Sequence, residues 1–374
     1  MRSRCAGWPL GFLLTAVLLS PGLVWFGCGG GGGGSSAPAG AFSQADITGT
    51  WDVIQFFTGS GAGWMHVTVT FDASGSMTSF SNYVDSEGIT DPGGSPDPPL
   101  KWTIDSSGVM SEFENGVDTG IRGRMSSDKK LVMNVETDDT SNTPYTISMV
   151  IARKRTGTVF SNNDAVNVPF VFHQLSSGQD NTWYRGAGST NASRQLTLDN
   201  TTLIGPGGLD PNPPSPNFDT MSVSLAGIVT LANDNAFYGL MTDDKKVIFA
   251  IGGDINVQNG IYNLIVITVT GQTYTQSDFA GTFNFFTIRN NVPNPAWSYG
   301  VTSIDVDGNG TYLSYTDIGG GAAPGPFRRV LSASGVITDP DDITGHGQMS
   351  YNKDITVRTN TSAAGRYGMP IGFK

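Results

Sequence analysis

Side chains able to do chemistry are few in this sequence, and they do not gather. His66, His173 and His346 are the only histidines. Each stands at a different place in the surrounding pattern, so no shared base or ligand set forms. His66 lies on an alternating stretch and His173 follows Phe-Val-Phe, so both read as ordinary strand residues. No Gly-x-Ser-x-Gly, His-Glu-x-x-His, phosphate-loop or dinucleotide fingerprint occurs. Nucleophilic catalysis lacks a base, and no carboxylate pair recurs within strands as acid–base hydrolysis of a polymer would need. What remains is oxygen ligands and aromatic rings. Asp305-Val-Asp307-Gly308-Asn309-Gly310 sets side-chain oxygens at alternate positions. Trp64, Trp183 and Trp297 recur ahead of a strand. They either plug cores or, with Trp51, line the mouth of an apolar pocket.

The Asp305–Gly310 run resembles the first half of an EF-hand loop, which implies a calcium site on Asp305, Asp307 and Asn309. Thr316 stands at the twelfth position, where that family has a bidentate Glu, and no helices flank the run. A structural turn is the competing reading, because Asp72-Ala-Ser-Gly75 takes the same place earlier in the chain.

The N-terminus carries the chemistry of export. Arg2 and Arg4 precede an apolar stretch, Leu10 to Leu19, which Pro21 and Gly22 break. Val24-Trp25-Phe26-Gly27 leads to Cys28, and glycines fill 29 to 34 before Ser35 and Ser36. A Cys after a small residue, between an apolar stretch and a Gly/Ser run, resembles a bacterial lipobox. Trp25 stands where that family has Leu. The resemblance implies cleavage after residue 27, lipidation of the Cys28 thiol and acylation of its amine. Gly29 is not the Asp of an inner-membrane retention signal, so the implied destination is the outer membrane, on its periplasmic face or the cell surface. The alternative is an uncleaved anchor spanning Pro9 to Gly27.

Stepping along the chain, one pattern occurs three times. Phe42-Ser43 with Asp46, Phe160-Ser161 with Asp164, and Tyr274-Thr275 with Asp278 open the copies. Each continues through its Trp, a Pro/Gly-rich loop, and a hairpin glycine (Gly108, Gly227, Gly335). Then come Gly-x-Met with its turn lysine (Lys129, Lys245, Lys353) as one element, and a closing strand at Tyr145, Tyr262 or Tyr367. Six landmarks in fixed order define a triplication. The expected organisation is a signal at 1–27, the lipidated Cys and tether at 28–41, and modules at 42–157, 158–272 and 273–374.

Within each module, alternation such as His66-Val-Thr-Val-Thr-Phe71 predicts strands with one buried face, joined by tight turns. Seven or eight short strands per module predict an all-β fold of three tandem antiparallel meander barrels, since closure removes the edge strands. Gly49-Thr-Trp51 at the start of such a meander is similar to the opening of lipocalins and avidin-type proteins, the calycin barrels. A single six-bladed β-propeller, two blades per copy, is the alternative, with a sandwich behind it.

Charge completes the reading. The chain carries 21 basic and 32 acidic residues; without Arg2 and Arg4 the balance is 19 against 32, a net charge near −13. That opposes binding to nucleic acid and to anionic lipid headgroups. The only cysteines are Cys5 and Cys28, so no disulfide or thiolate metal site braces the modules. These features predict a membrane-anchored, non-catalytic lipoprotein without a resident cofactor. Its modules would bind a small apolar ligand or a partner in the envelope. A structural or adhesive envelope protein with filled barrels is the alternative, and a polymer hydrolase ranks last.

Overall fold

Valine, isoleucine, threonine and aromatic residues dominate the chain between turn residues, and the polypeptide is accordingly almost all strand. The computed structural model describes residues 41–139, 145–209, 219–255, 260–290, 295–340, 342–361 and 366–374. Residues 1–40, on which the expected signal, Cys28 and nearly all of the expected tether fall, and 210–217 of the proline-rich loop lie outside them.

Barrel one is built from β1 (Gly49–Thr58), β2 (Gly63–Phe71), β3 (Met77–Asp85), β4 (Thr90–Gly94), β5 (Leu100–Ile104), β6 (Val109–Glu114), β7 (Val117–Met125), β8 (Leu131–Asp139) and β9 (Thr146–Lys154). Barrel two follows with β10 (Pro169–Gly178), β11 (Thr182–Thr190), β12 (Leu196–Gly205), β13 (Gly208–Leu209), β14 (Met221–Val223), β15 (Ile228–Leu231), β16 (Tyr238–Met241), β17 (Val247–Gly253) and β18 (Ile261–Val269). Barrel three has β19 (Gly281–Asn290), β20 (Ala296–Ile304), β21 (Asn309–Asp317), β22 (Phe327–Arg328), β23 (Val330–Leu331), β24 (Val336–Asp339), β25 (Asp342–Met349), β26 (Ile355–Thr361) and β27 (Tyr367–Phe373).

Each set forms one nine-stranded antiparallel sheet in which the first strand pairs with both the second and the last. Closure comes at one equivalent place in all three: Ser76 bridges Lys101, Gln195 bridges Thr220, and Asn309 pairs with Arg328. The sheets are therefore up-and-down meanders that curl onto themselves. A six-bladed propeller would need six small sheets around a channel, and that alternative is excluded.

The sequence landmarks meet at the base of each barrel. Ser43, Ser161 and Thr275 cap a short 3₁₀ turn, and their backbone N–H groups donate to Asp46, Asp164 and Asp278 at 2.8, 2.8 and 2.7 Å. Lys129, Lys245 and Lys353 reach those same carboxylates, each at 2.9 Å. The lysines also lie over Phe42, Phe160 and Tyr274, 5.6–5.8 Å from the ring centres. The rings in turn press on Gly108, Gly227 and Gly335, where any Cβ would fall within 3 Å of the aromatic carbons. The repeat was thus written by one clamp, used three times.

Burial departs from the expectation of one buried face. On β1, Trp51 and Val53 point into the barrel, while Ile54 and Phe56 point out and are equally buried. Met133 on β8 and Met149 and Ile151 on β9 do the same. Their counterparts include Phe249 and Val266 in barrel two and Phe286, Val357 and Ile371 in barrel three. These outer faces meet in one apolar cluster drawn from all three barrels, so the chain has three interior cores and a fourth that they share. The end of β10 meets the ends of β1 and β19. There Thr58 and Ser177 share a hydrogen bond of 2.6 Å, and Asn290 Nδ2 donates to the Ser176 carbonyl.

Candidate functional site

The three interiors have diverged. Barrel two packs Phe160, Phe170, Phe172, Leu203 and Phe237 together in one interior cluster. Gly186 and Gly188 leave the space that the Phe172 and Phe170 rings occupy, each ring lying 2.8 Å from where a Cβ would stand. Barrels one and three instead enclose cavities, of about 100 and 220 Å³.

In barrel one, β1 and β2 supply Trp51, Val67 and Phe71, and β5 and β6 supply Trp102 and Met110, giving the cavity an apolar wall. Trp51 is 2 % exposed, and its indole N–H donates to the Ile47 carbonyl at 2.7 Å, which fixes the ring. Further along β1 and β6, and on β8, the lining turns polar, with Gln55, Glu112, Asn134 and Glu136. Glu136 Oε1 accepts from Gln55 Nε2 at 3.0 Å and Ser148 Oγ at 3.2 Å, and Oε2 accepts from Asn134 Nδ2 at 3.3 Å. Glu112 is 5 % exposed, and its Oε1 has no hydrogen-bond partner. Burial pushes both carboxyls up, and for Glu112 the neighbouring Glu136 adds to it. The two titrate as a pair that holds a proton near neutrality. The arrangement presents a carboxyl aimed into an apolar pocket, able to accept from or donate to a ligand's polar end.

Of the tryptophans singled out from sequence, only Trp51 lines this cavity. Trp64 and Trp183 are each 1 % exposed and belong to the shared core, with Trp297 half-buried against it. They form a cycle around the three seams. Trp64 packs on Tyr238 of barrel two, with ring centres 5.7 Å apart. Trp183 packs on His346 of barrel three at 5.5 Å and donates to Thr361 Oγ1 at 2.9 Å. Trp297 donates to Thr137 Oγ1 of barrel one at 2.8 Å. Their recurrence thus coincides with seam positions, not with a pocket mouth.

The histidines also sit at these seams. His66 stacks on Tyr238 at 5.1 Å, and burial lowers its pKa to about 4. His173 is fully buried, and burial likewise holds it well below its ordinary value. Neither has a hydrogen-bond partner on either ring nitrogen.

Asp305, Asp307 and Asn309 occupy an exposed hairpin turn. Asp305 Oδ1 accepts from the Asp307 and Asn309 backbone N–H groups at 3.0 and 2.8 Å, and Oδ2 accepts from Asn309 Nδ2 at 2.9 Å. The carboxylate is turned onto its own loop, as Asp72 is in barrel one. No group of three or more His, Cys, Asp or Glu able to hold a metal occurs among the described residues. Cys28 lies outside them, and none of the described helices is long and apolar enough to cross a membrane.

Sequence reasoning missed Glu112, Glu136 and, in barrel three, Arg289, Arg329 and Arg358. The available signal was phase: Val132, Asn134 and Glu136 alternate on the inward side of β8, so the polar pair had to face the interior.

No family model matches the chain, and no curated protein does. Among solved structures, a transferrin binding protein B from Haemophilus parasuis aligns over 87 % of this chain and 75 % of its own, with 11 % identity and a TM-score of 0.27. The isotype 1 transferrin binding protein B from serogroup B Neisseria meningitidis aligns over 83 % and 65 %, with 9 % identity and a TM-score of 0.23. A protein of unknown function from Nostoc punctiforme aligns over 57 % and 97 %, with 8 % identity and a TM-score of 0.20. At such scores the superpositions carry no argument. The class, three antiparallel β-barrels in tandem around a common core, stands on the coordinates.

Proposed function

We propose that this chain is an exported lipoprotein, acylated on Cys28 and held at the outer membrane by the 28–41 tether, whose modules bind ligand without transforming it. The observation that carries the binding role is the first barrel's cavity. Trp51 and Trp102 wall it, and the Glu112–Glu136 pair is buried at its polar end. A closed barrel holds those walls rigid, which lowers the ordering cost of binding. The volume, about 100 Å³, suits a compact apolar body, and the carboxyl pair favours one that ends in an amine or hydroxyl.

Benzylamine and toluene, titrated into the purified full chain and followed by tryptophan fluorescence, test this reading. Benzylamine should bind once per chain and more tightly than toluene, and Met110→Trp, which fills the cavity, should abolish it. Equal binding to wild type and Met110→Trp rejects the site. Export is tested separately with a palmitate analogue in a bacterial host: label should appear on wild type and vanish in Cys28→Ala.

A further inference from the structure

Barrel three is lined by charge of the opposite sign. Arg289 on β19, Arg329 between β22 and β23, and Arg358 on β26 face one cavity of about 220 Å³. Among the described residues, Asp339 is the single carboxylate that shares its lining. Arg358 is 5 % exposed, and its Nη2 stands 3.8 Å from Asp339 Oδ2 and 4.0 Å from Asp342 Oδ2, beyond hydrogen-bond reach. Its Nε and Nη2, and Nε of Arg329, have no hydrogen-bond partner. Arg289 Nη1 donates to Ser298 Oγ at 3.2 Å. Burial, with the Arg358 charge beside it, lowers Arg329 to about 9.

A buried guanidinium with free donors is costly unless something completes it. The fold does not demand these arginines. Five residues past the clamp lysine, where barrel three has Arg358, the sister barrels have Asn134 and Ala250. Six residues before the hairpin glycine, where it has Arg329, they have Trp102 and Met221. Space has also been cleared for Arg358. Where the sister barrels have Ile121 and Phe237, barrel three has Gly345, and a Cβ there would lie 2.1 Å from Arg358 Nη2. Aromatic rings complete the lining: Arg329 lies over the Phe327 ring, 4.2 Å from its centre, and Tyr312 stands 5.5 Å from both Phe285 and Phe327, edge-on to each.

We propose that the interior of barrel three is a binding site for an organic anion: a carboxylate or phosphate on a flat apolar body. The anion takes the unfilled donors of Arg358 and Arg329, where a planar guanidinium fork matches either group. The body lies along Phe285, Tyr312 and Phe327. This site is independent of the one in barrel one and opposite to it in charge preference.

Calorimetric titration of the full chain with phenyl phosphate, benzoate, benzyl alcohol and inorganic phosphate tests the proposal. Phenyl phosphate or benzoate should bind once per chain, at least tenfold more tightly than benzyl alcohol, which lacks the charge. The same anion should bind at least tenfold more tightly than inorganic phosphate, which lacks the body. Arg358→Gln should weaken it tenfold or more, with an unchanged far-ultraviolet spectrum and unchanged benzylamine binding. Should that variant fail to fold, Arg329→Gln serves in its place. Alcohol or inorganic phosphate binding as tightly as the organic anions would overturn the proposal, as would anion affinity indifferent to the arginine substitution.

Discussion

The indole N–H of Trp183 donates to the hydroxyl of Thr361 at 2.9 Å, across the seam between barrels two and three. Thr361 stands eight residues beyond the clamp lysine Lys353, and Thr137, the partner of Trp297, stands eight beyond Lys129. Eight beyond Lys245 is Gly253, which has no hydroxyl, and Trp64 Nε1 has no hydrogen-bond partner. Trp183→Phe therefore loses packing and a partly buried hydrogen bond, whereas Trp64→Phe loses packing alone. In urea titrations Trp183→Phe should be the more damaging by about 1 kcal/mol. Equal losses would mean that the bond across the seam contributes nothing.

The shared core sets a second expectation. Barrel one expressed alone as residues 42–157 exposes Ile54, Phe56, Met133, Met149 and Ile151 on one face. A contiguous apolar surface of that kind drives association. Light scattering should find the fragment aggregated or self-associated. A monodisperse, folded monomer would show that the fourth core is dispensable to each barrel.

Strands, turns and the triplication were legible because a period of two and a six-landmark repeat are local signals. The clamp was legible too, though only as spacing: Asp46, Gly108 and Lys129 announced a repeat without announcing that they touch. The shared core was not legible. Leu131-Val-Met-Asn-Val135 reads equally as a one-faced strand or as one buried on both sides, and what covers its outer face lies more than a hundred residues away. Nor were the cavities, because Asn134, Ala250 and Arg358 hold the same position in the repeat and differ only in what each interior requires.

Stability should peak near neutral or mildly acidic pH, with opposite groups shaping the two limbs. The carboxyls of Glu112 and Glu136 are raised from an ordinary 4.5 to about 8 and about 7. The folded state thus holds protons that the unfolded state releases. That contribution is complete below 4.5 and is lost as pH rises through 7 to 8. His66, lowered from 6.5 to about 4, contributes in the other sense: its share is present above 6.5 and lost as pH falls through 4. In thermal scans Glu112→Gln should flatten the alkaline limb by at least about 1 kcal/mol, the equivalent of less than one pKa unit. His66→Phe should flatten the acid limb. A wild-type midpoint constant from pH 3 to 9 would contradict both assignments.

The last prediction concerns the seam between barrels one and two. Arg153, 1 % exposed, bonds Asp52 Oδ2 at 2.6 Å and the Met241 carbonyl at 2.6 Å, and reaches the Gly227 carbonyl at 3.3 Å. Asp52 is fully buried and is also held by Arg155 at 2.7 Å. Asp52→Ala strands the Arg153 charge among carbonyl dipoles without a counterion and should cost about 3 to 5 kcal/mol. Arg155 is one-third exposed and can turn to solvent, so it adds little to that loss. Replacing both partners, Asp52→Ala with Arg153→Leu, removes the buried charge along with its partner. The double variant should then be more stable in urea than Asp52→Ala alone, a non-additivity that identifies the uncompensated guanidinium as the source of the damage. If the double variant is the less stable of the two, the carbonyl bonds of Arg153 hold the seam, and the ion pair does not.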